Sequence, residues 1–127
     1  MTNLTTLLFV ACGGATGACM RFLISNWALS AFGKGFPFGT LMVNVIGSLI
    51  MGIMFALLEQ NVISSSFWKP LISVGFLGAL TTFSTFSMDS LLLIQQGELI
   101  KAVFNVACNV VICIVAAWLG TQLIFKS

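Results

Sequence analysis

Three groups of polar residues interrupt an otherwise apolar chain, and their spacing limits the chemistry open to them. The first is GFLGALTTFSTFS, Gly75 to Ser87, where Gly75 and Gly78 precede Thr81, Thr82, Ser84 and Thr85, with Phe83 and Phe86 three apart. The second is Asn44, within GTLMVNVIGSLIMG, Gly39 to Gly52. The third is Asn105 and Asn109, four apart, with Cys113 four further, so that all three share one helical stripe. These groups form hydrogen bonds but carry no charge. The chain has no histidine, and its acids are Glu59, Asp89 and Glu98. A Cys–His pair or a histidine-ligated metal is therefore excluded within one chain, and general acid–base catalysis has almost no material. An enzyme is not expected. Neutral donors suit a different role, because they can replace the water around a small ion and still release it.

The elements that hold these groups follow from composition. Of the 127 residues, 59% are hydrophobic and 6% charged, against about 25% charged in a soluble domain. No formal charge falls in Gly35–Leu58, Pro70–Met88 or Ala102–Phe125, and the first side-chain charge is Arg21. A membrane span needs roughly 20 apolar residues. Four fit, near Leu4–Ser30, Thr40–Leu58, Leu71–Ile94 and Lys101–Phe125, which makes 1–127 a single transmembrane domain of all-α class. The first segment lacks a basic leader and a small-residue cleavage site, so it reads as a retained span. Cys12, Cys19, Cys108 and Cys113 form no CxxC pair, lie in the expected spans and read as apolar packing residues. Gly13, Gly14 and Gly17 in span one, and Gly47, Ser48 and Gly52 in span two, mark close helix approach.

Polar groups inside hydrocarbon are costly unless paired. The Asn105–Asn109 stripe must therefore face protein or water, as an interhelical clamp, a track for ions, or both. Gly75, Gly78 and the Thr81–Thr82 pair weaken the middle of span three, and a break there would free carbonyls for a cation and open a helix N-terminus that favours an anion. Thr81 and Thr82 can cap the restart. Phe83 and Phe86 lie roughly on one face, either as core filler or with their positive ring edges towards a narrow path for a small anion. Four spans put both termini on one side, with Lys69 and Lys126, while Lys34 and Lys101 lie on the other, joined by Arg21 if it sits at the far end of span one. That is a weak orientation signal. Such a chain could insert either way round.

The two motifs GTLMVNVIGSLIMG and GFLGALTTFSTFSMDS resemble the Fluc (CrcB) family of microbial fluoride channels, and the resemblance extends over the whole chain. It implies an antiparallel, dual-topology homodimer in the cell (inner) membrane, with two pores at the interface and passive export of fluoride. It implies that the third helix is broken mid-membrane and holds a structural Na⁺ through the backbone carbonyls of Gly78 and Thr81 from both subunits. The family's pore phenylalanines match Phe83 and Phe86, its pore asparagine matches Asn44, and Thr82 and Ser84 lie in the same motif as supporting donors. Its span-four track falls at Asn105, Asn109 and Cys113, where other members carry hydroxyls. Asp89 stands where glutamate is frequent, and Arg21 matches a basic residue that serves a vestibule or braces the structure. The implied partners are fluoride, membrane lipid and a second copy, with no nucleic acid. The main alternative is a small multidrug-type dual-topology transporter. Its proton-coupled members need an acid in the middle of span one, and none is present here. A scaffold subunit would not need a weakened third span.

Overall fold

The computed structural model describes residues 3–126. It is all-helical, with four helices long and apolar enough to cross a membrane: Leu4–Phe32, Phe38–Glu59, Lys69–Gln95 and Leu99–Phe125. Each runs at most two residues past the ends expected from the charge-free stretches. Span one starts where the Asn3 side chain accepts the Thr6 N–H at 2.8 Å. It stops at Gly33, whose φ of 78° is a left-handed conformation that ends a helix cheaply for glycine. Large apolar residues such as Phe22, Leu23, Val103 and Trp118 point outward. On helices of this length such a surface fits a hydrocarbon surrounding.

The buried core is small. Val43, Met54, Leu77 and Leu80 form it, between spans two and three. Much of the remaining packing is backbone against backbone. Span one lies along the N-terminal half of span three, and a methyl group on Gly13 or Gly17 would overlap the carbonyl of Leu71 or Phe76. Span two lies along the C-terminal half of span four, where Gly52 meets Ala117 and Gly120 meets Leu49 in the same way. Only the missing Cβ atoms allow these approaches.

Span three changes partners along its length. Lys69–Phe76 winds as a wide π-helix and Leu77–Leu80 as one α-turn, both against span one. Thr81 (φ −83°, ψ 155°) and Thr82 (φ −151°, ψ 119°) have extended dihedrals. Phe83–Gln95 is α-helical again and packs on the first half of span four, Leu99–Ala107. Span four carries its own π-turn, Cys108–Ile112, around Asn109. The first and third loops share one end: a Cβ on Gly35 would lie 3.8 Å from the Lys101 Nζ.

Candidate functional site

Two extended residues in a membrane helix leave backbone groups to be accounted for. The Thr82 N–H, which in a continuous helix would donate to the Gly78 carbonyl, donates instead to Asn44 Oδ1 at 2.8 Å. Asn44 Nδ2 returns a bond to the Thr82 carbonyl at 3.2 Å. One side-chain amide from span two thus engages both sides of the Thr82 residue, as a neighbouring strand would. Thr82 Oγ1 caps the restarted helix by accepting the Thr85 N–H at 3.2 Å, which takes the usual helical donor away from the Thr81 carbonyl. The Ala79 carbonyl accepts Arg21 Nε at 2.9 Å. Thr81 folds back on its own turn, with its N–H and hydroxyl both donating to the Leu77 carbonyl. The carbonyls of Gly78 and Thr81 are thereby released from helical pairing.

Asn44 also reaches span four. Its Nδ2 donates to Asn109 Oδ1 at 2.8 Å, and Asn109 Nδ2 donates to the Asn105 carbonyl at 2.9 Å and to Asn105 Oδ1 at 3.1 Å. Asn105 Nδ2 donates to Ser90 Oγ at 2.9 Å, and that hydroxyl donates to the Phe86 carbonyl at 2.9 Å. The π-turn accounts for part of this: it begins beside Asn109 and lets two successive asparagines on one stripe contact each other and different neighbours.

A cavity of about 350 Å³ opens beside these bonds, between spans two, three and four. Asn44, Thr82, Asn109 and Cys113 line it with Phe83 and Phe86, and Gly78 and Thr81 border it at the break. Among the described residues no charged side chain lines it. The two rings meet edge to face, with centroids 5.3 Å apart. They differ in exposure: Phe86 is 8% exposed and Phe83 76%. Two of the residues expected in the pathway lie outside the lining. Ser84 is exposed and within 3.2 Å of the Thr82 hydroxyl, and Asn105 is sealed behind Asn109. Sequence reasoning took Ser48 for a helix-packing residue, and the structure places it in the cavity lining. The available signal was its place four residues after Asn44, on the same helical face.

The charged candidates stand apart. Arg21 holds the Ala79 carbonyl at the back of the break. Asp89 accepts the Thr40 hydroxyl at 2.8 Å and borders a smaller pocket of about 220 Å³ near the first loop, together with Lys34 and Gln96. No cluster of three or more His, Cys, Asp or Glu residues occurs among the described residues.

Comparison with known proteins places the chain. The model of the family described as CrcB-like protein, Camphor Resistance (CrcB), matches residues 8–121. The chain belongs to the CrcB family. The match takes in every residue of the cavity. Among curated CrcB relatives, a protein of Pseudoalteromonas translucida named fluoride-specific ion channel FluC is 61% identical over 117 residues, covering 92% of this chain and 98% of that one. Its namesake in Photobacterium profundum is 55% identical over the full length of both. One from Vibrio cholerae is 56% identical over 119 residues, 94% of each chain.

Proposed function

We propose that the chain is a passive fluoride channel of the cell (inner) membrane that lowers fluoride toxicity by letting the ion leave the cytoplasm. The observation that carries the reading is the uncharged cavity that Asn44, Thr82 and Asn109 line together with Phe83 and Phe86. The names of relatives more than half identical over nearly all of this chain support it. Fluoride enters an acidified cell as neutral HF and is trapped as the anion. A channel with neutral donors lets it leave down its gradient, aided by an inside-negative potential. Dehydrating so small an ion is expensive. Hydroxyls and ring edges offset that cost closely spaced, joined by an Asn44 or Asn109 N–H that exchanges its protein acceptor for the ion, without the tight binding a lysine or arginine would impose. The N-terminus of the helix Phe83–Gln95 adds a positive partial charge at the same point.

In this reading two copies pair antiparallel about the middle of span three, and two pores form at their interface. Phe83, exposed in one chain, would then line a path completed by the partner, with Asn44, Phe86, Asn109 and Cys113 as the near wall and Thr82 and Ser84 as supporting donors. A structural Na⁺ fits the released carbonyls of Gly78 and Thr81. One chain offers two hard oxygens and two chains offer four, with no side chain in the way at Gly78, where an added Cβ meets only the Ser73 carbonyl at 4.0 Å. The ion would supply fixed positive charge at the seam. Arg21 and Asp89 act outside the path, one bracing the break and one at a vestibule.

The test is efflux from liposomes. Purified protein in vesicles loaded with fluoride should release it without a proton gradient or ATP while chloride stays inside. Release that needs a proton gradient, or equal loss of chloride, would reject the reading.

A further inference from the structure

We infer that Ser90 is a positioning residue for the ion pathway, acting on Asn44 through the two span-four asparagines. This rests on the channel reading in one respect only, that Asn44 and Thr82 border the path. Ser90 lies two turns beyond the break and does not line the cavity. Its hydroxyl hydrogen is committed to the Phe86 carbonyl, four residues back on the same helix. It therefore presents only lone pairs to Asn105.

That commitment has a directional consequence. An asparagine amide has an accepting end and a donating end, and its orientation depends on what lies on either side. Ser90 can only accept, so Asn105 must turn its NH₂ to Ser90 and its Oδ1 to Asn109. Asn109 turns its NH₂ to Asn105, whose backbone carbonyl and Oδ1 both accept, and its Oδ1 to Asn44. Asn44 is left with its Oδ1 facing the Thr82 N–H. The other end has the same polarity, because a backbone N–H can only donate. A row of three amides is thus pinned in one direction from both ends. Ser90 is 8% exposed, Asn109 7% and Asn105 0%, so water cannot readily stand in for a missing member. Without the hydroxyl, the Asn105 NH₂ has no acceptor in a buried place, and reversing that amide would set two NH₂ groups against each other at Asn109. The Asn105 backbone carbonyl keeps one Asn109 N–H, so Asn109 shifts without reversing, and that shift reaches Asn44, the residue that sets the Thr82 geometry.

The experiment compares Ser90→Ala, Ser90→Cys and Ser90→Thr in fluoride-loaded liposomes, with the Asn44 side-chain amide resonances followed by NMR in the same proteins. Ser90→Ala should slow fluoride release about tenfold, the effect of roughly one buried hydrogen bond, and should move the Asn44 resonances although Ser90 does not touch Asn44. Ser90→Cys keeps the side-chain size but accepts poorly, so it should fall with alanine, and it carries the test if alanine disturbs assembly. Ser90→Thr, which can bond the Phe86 carbonyl and accept from Asn105 in the same way, should return release to within about twofold of the original. Release at the original rate in the alanine and cysteine proteins would overturn the inference. So would slower release with unmoved Asn44 resonances, which would make Ser90 a packing residue. A parent protein that passes no fluoride would refute the channel reading instead, and the Asn44 resonances would still decide the role of Ser90.

Discussion

The helices meet in two kinds of seam. Where span one lies on the first half of span three, and where span two lies on the second half of span four, glycines bring backbones into contact. Where spans two, three and four meet beside the cavity, Asn44, Asn109, Asn105 and Ser90 join the helices through side-chain hydrogen bonds. In lipid neither seam gains much from hydrophobic burial between helices. The glycine seams select by shape, because the wrong residue does not fit. The amide seam selects by polarity, because a substitute can fit and still leave a donor or acceptor unpaired. Damage to the first kind should therefore appear as loss of the folded protein, and damage to the second as loss of transport in a protein that still assembles.

The strongest way to break this division is Gly17→Val. Its side chain would collide with the Phe76 backbone, which no rotamer change relieves, at a cost at or above about 3 kcal/mol. Detergent extracts should yield no monodisperse protein, and a folded, conducting variant would show that the glycine seams tolerate bulk. Next is Asn44→Leu, close in volume but without any of the three bonds. Fluoride release should fall about a hundredfold while size-exclusion behaviour is kept. The aromatic pair sharpens the contrast. Phe83→Ile, at a 76% exposed position, should slow release about tenfold and leave the melting temperature unchanged, whereas Phe86→Ile, at an 8% exposed one, should lower both. The smallest effect inside a single chain is expected for Gly78→Ala, because the added carbon meets nothing closer than 4.0 Å. Weaker pairing of two copies in cross-linking, with helix content intact, would place the crowding at the partner's surface. Unchanged pairing and sodium dependence would count against a carbonyl-lined ion there.

The four spans were legible because lipid imposes a blunt rule: a charge-free run of the right length has few other uses. Asn44, Thr82 and Asn109 were legible as candidates for a related reason, since each is a polar group that hydrocarbon penalises. Their pairing was not. Nothing in the order of residues says that the Asn44 amide takes both the N–H and the carbonyl of Thr82, because that choice depends on how deep two helices sit relative to each other. The Asn105–Asn109–Cys113 stripe was drawn with an even helical period, and the π-turn at Cys108–Ile112 departs from that period. Asn109 and Cys113 reach the cavity while Asn105 is turned towards Ser90. Ser90 itself carries no sequence signal, being one serine among several in its segment.

Because the third helix leans on the first before Thr81 and on the fourth after Thr82, one joint of the chain falls inside a helix and not at a loop, with the seam between spans two and four left to hold the two sides together. Drawn out of a bilayer from its C-terminal end, it should yield in steps whose contour lengths point to that dipeptide, with residues 83–126 leaving before residues 3–80. A hairpin-by-hairpin extraction, stopping between the second and third helices, would assign the weakest joint to the loop instead.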